Sequence, residues 1–199
     1  VLHIGAPPFD ALAYLPQVVQ ALARRQRGVR VRLQEGLTPV LLHALMHKHL
    51  DALVTTFSRE LDETVRPQLH YEKLFECESA VIAAPSHPLA GARRVGWAQL
   101  RSEPWVLPEQ MSTTRRNIDE AFARAGCLAP TPFLESAHPT TNVRLVAQGL
   151  GISAMPVDLL GLAEAAGEVV RLPVDPPLAP GSVGLLYRAV QADDPEIQG

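Results

Sequence analysis

Val29-Arg30-Val31-Arg32-Leu33-Gln34-Glu35, followed at once by Gly36-Leu37-Thr38-Pro39, decides how this chain folds. The first seven residues alternate: Val29, Val31 and Leu33 point one way, Arg30, Arg32 and Gln34 the other, which predicts a half-buried strand. Thr38-Pro39 then predicts a helix start, with a hydroxyl at the N-cap and a proline at the first helical position, where no amide hydrogen is missed. Leu41, Leu42, Leu45 and Met46 supply the apolar residues of that helix, which is expected to end near Lys48. Alternation of strands and helices in this manner signals an α/β fold with a largely parallel sheet.

The same unit recurs on both sides. Upstream, Leu2 to Gly5 reads as a short strand and Asp10 to Arg27 as a helix, with Leu12, Leu15, Val19 and Leu22 at helical spacing and Pro16 bending its second turn. Downstream, strands are expected over 51–57, in two stretches between Leu69 and Pro85, and over 104–107, 132–135, 152–155, 169–172 and 183–188. Helices are expected from Ser112-Thr113-Thr114 through Phe122, stopping at Gly126, from Pro139 to Gln148, stopping at Gly149, and over the Ala-rich 157–166. Pro173 to Pro180 reads as a loop.

Composition narrows the function classes. The 199 residues, 47% hydrophobic and 20% charged, suit one or two compact domains with a sizeable core. No uncharged run approaches the roughly 18 residues of a membrane helix. A net charge of -3 and an aromatic content of 5% argue against a surface that holds nucleic acid by itself. Cys77 and Cys127 have no metal or redox spacing, so a reducing compartment without disulfides is expected. The chain opens without Met on Val1-Leu2-His3-Ile4-Gly5, which reads as an excised piece of a longer protein.

Catalytic patterns find no support. His43 and His47 share a helix face at i, i+4 with His49 nearby, but Ala44 stands where a zinc enzyme needs its Glu, and a solvated helix end explains the cluster. There is no Gly-x-Ser-x-Gly elbow and no Walker loop, and Gly149-Leu150-Gly151 follows a helix instead of opening one. No enzyme, metal or cofactor is expected. Arg24, Arg25, Arg27, Arg30 and Arg32 read as a solvated helix end and the polar face of a strand. What stands out is four turns where a helix begins right after a strand: Pro8-Phe9-Asp10, Thr38-Pro39, Ser112-Thr113-Thr114 and Ser136-Ala137-His138-Pro139-Thr140. In a parallel α/β sheet such turns gather at one edge, where ligands bind and free helical amides suit anions.

At this point the sequence resembles the effector-binding domain of LysR-type transcriptional regulators. The resemblance rests on Ile4-Gly5 followed by Leu15-Pro16, on Val29 to Gly36, on the Leu-rich helix reaching Leu50-Asp51, and on His87-Pro88-Leu89-Ala90. It continues with Trp97-Ala98-Gln99-Leu100 before Trp105-Val106-Leu107, and is strongest over Leu145-Val146-Ala147-Gln148-Gly149-Leu150-Gly151-Ile152, reaching Met155-Pro156. These segments run in the family's order along about the whole chain. Two departures stand out: Lys48 replaces the usual helix-ending Gly, and the chain stops at Gly199 where the family continues into a closing helix.

The resemblance implies two Rossmann-like α/β subdomains joined by two crossovers, as in type 2 periplasmic binding proteins. Subdomain I is expected to take residues 1–75 plus 173–199 and subdomain II residues 76–172. It also implies a small-molecule cleft between them, a homodimer pairing the first helix of one copy with a second-subdomain helix of the other, and a tetramer for the full-length protein. DNA would be bound only through an N-terminal winged helix-turn-helix outside this sequence, in the cytoplasm, with no membrane partner. Carried over residue by residue, effector contacts fall on Pro8, Phe9, Asp10, Thr38 and Thr56 in the first subdomain, and on Ser112, Thr113, Thr114, His138 and Pro139 in the second. Asp10 would repel a carboxylate ligand if it faced the cleft and would not if it capped the first helix; both readings stand at this stage. The alternative on the same fold is a periplasmic solute-binding protein of a transporter.

Overall fold

The computed structural model describes residues 1–25, 28–57 and 66–189. Arg27, the expected helix end there, and the stretch 190–199 lie outside the described residues. The chain divides into two compact units: Val1–Glu76 with the chain from Gly181, and Cys77–Pro180. Pro173, where the second crossing was expected, lies inside the second unit. Its carbonyl accepts the Val95 N–H (2.9 Å), and Leu172 N–H donates to the Val81 carbonyl (2.9 Å), which ties the proline-rich stretch to that unit.

Unit 1 begins with β1 (Leu2–Ala6), α1 (Pro8–Arg25), β2 (Val31–Glu35), α2 (Thr38–Met46), β3 (Ala52–Phe57) and β4 (Leu69–Cys77). Unit 2 carries β5 (Ser79–Ala83), α3 (Trp97–Leu100), β6 (Val106–Leu107), α4 (Thr113–Arg124), β7 (Leu134–Glu135), α5 (Pro139–Ala147), β8 (Ser153–Pro156), α6 (Gly161–Ala165) and β9 (Val170–Arg171). The chain then returns to unit 1 as β10 (Gly181–Arg188).

The five-stranded sheet of unit 1 has the order β2-β1-β3-β10-β4. β1 runs parallel to β2, with Leu2 opposite Val31, and parallel to β3, with Ile4 opposite Ala52. β10 is antiparallel to β3. Because β1 sits between the strand before and the strand after the second crossover, the sheet has a switch point there, and the crevice of such a sheet opens at the strands' C-terminal ends. Leu41, Leu45 and Leu50 pack with Leu53 and Leu186 into one apolar cluster that fixes α2 on the sheet.

The buried face of α1 is Ala11, Tyr14 and Leu15, with Tyr14 edge-on to Phe75 of β4 at 5.2 Å between ring centres. Leu12 and Val19, expected with the core, are 46% and 37% exposed, because the helix turns its 11-14-15 stripe inward and leaves them on the outer face. Leu33 was likewise expected on a buried face and is 48% exposed; β2 is an edge strand. Lys48 follows α2 with φ +63°, the left-handed conformation that glycine adopts without cost. Arg188 of β10 closes this end of the helix: its guanidinium donates to the carbonyls of Leu45 (2.7 Å) and Leu50 (2.5 Å).

Unit 2 is built on the sheet β8-β5-β9 and the parallel pair β6-β7, linked by a bridge between Trp105 and Ile152. Trp97, Trp105 and Phe122 form its aromatic centre, with Phe122 edge-on to both indoles, and the Trp105 indole N–H donates to the Leu100 carbonyl at 2.8 Å. The His87-Pro88-Leu89-Ala90 loop has a local cause: His87 Nδ1 accepts the Leu89 amide hydrogen (3.2 Å), so the other ring nitrogen holds the proton and meets Glu103 at 3.3 Å. Gly149 ends α5 with φ +76°, and Gly151 has φ +144° where a Cβ would collide with the Pro104 carbonyl oxygen. Residues 157–166 are not one helix. A 3-10 turn over Val157–Leu159 precedes the short α6, because Leu160 N–H bonds Val157 (3.0 Å) and Gly161 weakens the helix by about 1 kcal/mol relative to Ala.

Candidate functional site

At the C-terminal edge of the unit 1 sheet, only Pro7 separates β1 from α1, and Asp10 falls in the first turn of α1. The Asp10 side chain is buried and turns to β3: Oδ2 accepts the Thr56 amide hydrogen (2.9 Å) and Oδ1 the Thr56 hydroxyl (2.6 Å). It thus pins α1 to the end of β3 instead of capping its own helix. Burial pushes the Asp10 carboxyl up from its ordinary range, and the hydrogen bonds from Thr56 and Thr55 offset only part of that. Phe9 is buried and Pro8 half-buried.

Thr38, expected as N-cap, is instead the first residue of α2, and Leu37 occupies the cap without a side-chain bond. The Thr38 hydroxyl is thereby free to meet that of Thr55 at 3.3 Å. The structure brings Asp10, Thr38 and Thr56 to the strand-end edge of one unit, linked through the Thr55-Thr56 pair of β3.

Unit 2 repeats the arrangement. β6 and β7 are parallel, and their C-terminal ends lead to α4 and α5. Ser112 is a true N-cap, its Oγ accepting the Arg115 amide hydrogen at 3.1 Å. Thr113 is buried, Thr114 half-buried, and the Thr113 hydroxyl oxygen lies 3.5 Å from the Arg116 guanidinium. His138 is the exposed N-cap of α5 with no side-chain cap, its amide donating to Ser136 Oγ at 3.3 Å, and Pro139 is buried behind it. Ser112, Thr113 and Thr114 stand together on α4, with His138 and Pro139 on α5 at the same strand edge.

Two residues escaped the sequence reading. Arg115 is 5% exposed; its Nε donates to Asp119 (3.0 Å) and Nη1 reaches Glu135 at the end of β7 (3.5 Å). The i, i+4 Arg-Asp spacing was the available signal. Asn142 is completely buried, its Nδ2 donating to the Ser136 carbonyl at 3.1 Å, while Oδ1 has no partner among the described residues. Its signal was a polar side chain on the 139-142-146 stripe that α5 buries. His43 of α2 stacks on His47, the residue that caps the helix, at 4.0 Å between ring centres, and His47 Nδ1 lies 2.9 Å from the His43 carbonyl; among the described residues no group of three or more ligating side chains could hold a metal.

A profile of the LysR substrate binding domain matches residues 1–199. The chain belongs to that family. This LysR domain is 29% identical over 191 residues to the HTH-type transcriptional regulator GalR of Pseudomonas putida, spanning 95% of the chain and 47% of that relative. It superposes on the CcmR regulatory domain of Synechocystis, solved in complex with 2-PG, with a TM-score of 0.81 at 21% identity, covering 94% of this chain and 87% of that one. The effector binding domain of QuiR, solved in complex with shikimate, gives 0.82 at 20% identity over 99% of this chain and 91% of that one. These likenesses show the fold: two Rossmann-like units of the periplasmic-binding-protein type.

The LysR domain spans about half the length of the curated relatives it matches. Those relatives are named as transcriptional regulators, and the family whose profile matches this chain is described as a substrate binding domain. Among the described residues no helix is long and apolar enough to cross a membrane.

Proposed function

We propose that this domain binds a small anionic metabolite at the strand-end edges of its units, and that binding biases the arrangement of a homodimer, and of a tetramer in the full-length cytoplasmic regulator. DNA is then bound only through an N-terminal winged helix-turn-helix outside this sequence. The observation that carries the reading is that each unit gathers helix starts and hydroxyl side chains at the C-terminal edge of its parallel strands, with Thr38 in one and Ser112 to Thr114 in the other. Helix starts there favour anions. Shikimate, on which a structural neighbour was solved, is a small carboxylic acid of the kind proposed. The ligand acts by preferring one arrangement; moving a population from 1:99 to 99:1 takes about 5.5 kcal/mol of differential affinity.

The dimer is supported by two features. α1 carries a second apolar stripe, Leu12 and Val19, on its outer face, and the edge strands β2 and β7 are bordered by exposed Leu33 and Phe133. Edges and stripes of this kind seek partners.

A thermal-shift screen against small carboxylates, amino acids and aromatic acids tests the first part. A ligand at 100 times its Kd stabilises by about 2.7 kcal/mol, and no rise in Tm with any of these classes removes the reading. Light scattering tests the second: a dimer for the native chain and a monomer for Leu12→Asp are expected, and a native monomer at high concentration overturns it.

A further inference from the structure

Unit 2 carries an open groove at the N-terminal ends of β6 and β7, opposite the edge where α4 and α5 begin. One wall is α3 with the turn 101–104 that leads into β6; the other is the stretch 128–131 that leads from α4 into β7. Its volume is about 770 Å³, within the range of small-molecule sites. Both walls are already fixed. On the first, the Trp105 indole donates to the Leu100 carbonyl (2.8 Å), and the Pro104 carbonyl accepts the Ile152 amide hydrogen (2.8 Å). On the second, the Cys127 N–H bonds the Phe122 carbonyl (2.9 Å) and the Phe133 N–H the Trp105 carbonyl (2.8 Å).

Between these anchors the groove keeps unused bonding groups. Among the described residues, the backbone N–H groups of Leu128, Ala129 and Thr131 and the Thr131 hydroxyl have no hydrogen-bond partner. The Leu128 side chain beside them is 78% exposed. Across the groove Arg101 is exposed, and its guanidinium has no partner among the described residues. The other polar side chains of that wall are engaged. Ser102 Oγ donates to the Gln99 carbonyl (3.0 Å), and the Glu103 carboxylate meets His87 Nε2 (3.3 Å). The groove therefore offers one uncommitted cation and unpaired donors beside an apolar lining of Ala98, Pro104, Leu128 and Pro130.

We propose that this groove is a second ligand site, for a small amphipathic acid whose carboxylate lies on the Arg101 guanidinium and whose apolar body lies along Pro104, Leu128 and Pro130. A neutral apolar molecule leaves the guanidinium unused, and a small hydrophilic acid leaves Leu128 and the prolines in water. The site goes beyond the effector-binding role proposed above: it lies wholly within unit 2, at the strand ends away from Ser112 to Thr114.

Titration of the isotope-labelled native chain with phenylbutyrate, followed through its amide NMR signals, tests this. The signals of Arg101, Leu128, Ala129 and Thr131 should move together along one saturating curve. Arg101→Gln should weaken binding about fivefold, the worth of an ion pair open to solvent, and the neutral phenylbutanol should bind the native chain about as weakly as the acid binds that variant. Leu128→Asp should abolish saturation. Both side chains are exposed, so both variants should fold. Equal binding of acid and alcohol, or an affinity that Arg101→Gln leaves unchanged, overturns the proposal. So does a lack of movement at these four amides; if the signals around Thr38 or Ser112 to Thr114 move instead, the acid sits at the effector edge and the effector-binding role stands without the second site.

Discussion

The carboxylate of Asp10 accepts both the amide and the hydroxyl hydrogen of Thr56, a residue 46 positions later in the chain, so that the first turn of α1 is fastened to the end of β3. The bond is local in space and remote in sequence. It spends the carboxylate inside unit 1 and leaves the hydroxyl of Thr38, on the neighbouring helix start, as the polar group at that edge.

Burial raises the Asp10 carboxyl above its ordinary value of 3.8, so the folded state holds this proton more tightly than the unfolded chain. The contribution of Asp10 to stability is therefore most favourable below 3.8 and is lost as pH rises through the raised folded value. In urea denaturation, Asp10→Asn should remove that fall. The difference in stability between the variant and the native chain should shift in favour of the variant across this window and stay constant at higher pH. A pH-independent difference would show that Asp10 titrates alike in both states.

Thr38→Val removes a hydroxyl and keeps the shape of the side chain. Effector affinity should drop roughly five- to tenfold, the loss of one hydrogen bond. DNA affinity of the full-length regulator without effector should change far less. Gel-shift titrations with and without effector measure both, and equal loss of the two would remove Thr38 from the site.

Lys48 sits at φ +63° and is exposed. Lys48→Gly should stabilise the domain by up to about 1 kcal/mol, since relief of the left-handed strain exceeds the extra entropy that glycine loses on folding. Thermal unfolding of the two proteins gives the sign directly.

Arg188→Met keeps an apolar stem and removes the donors to the Leu45 and Leu50 carbonyls. A loss of about 2–3 kcal/mol is expected, as for hydrogen bonds from a charged group. Hydrogen exchange should rise first at the end of α2 and the start of β3.

The strand-turn-helix rhythm was legible because each turn carries its own chemistry: Ser112 caps α4 as its sequence position suggested, and Gly149 and Gly151 occupy left-handed backbone conformations that favour glycine. Inward and outward faces were less legible. Leu12, Val19 and Leu33 have the right spacing for a core, but a helix with two apolar stripes and an edge strand does not announce which face its neighbours cover. Thr38 shows the same limit at a helix start, where Thr-Pro predicted a cap and the side chain bonds Thr55 instead. Asn142 was missed because a polar residue ordinarily reads as the outer face of a helix, whereas it shares the stripe of Pro139 and Val146 that α5 buries.

The place of β10 has a consequence for biosynthesis. It lies inside the unit 1 sheet, between β3 and β4, yet it is made after all of unit 2. Unit 2 is complete once residue 180 has left the ribosome, whereas the first-made strands wait with an open slot between β3 and β4. At translation speeds of about 5–20 residues per second, that wait lasts at least several seconds, during which the unpaired edges are exposed to other chains. The nascent chain therefore finishes its inserted unit before the one it began.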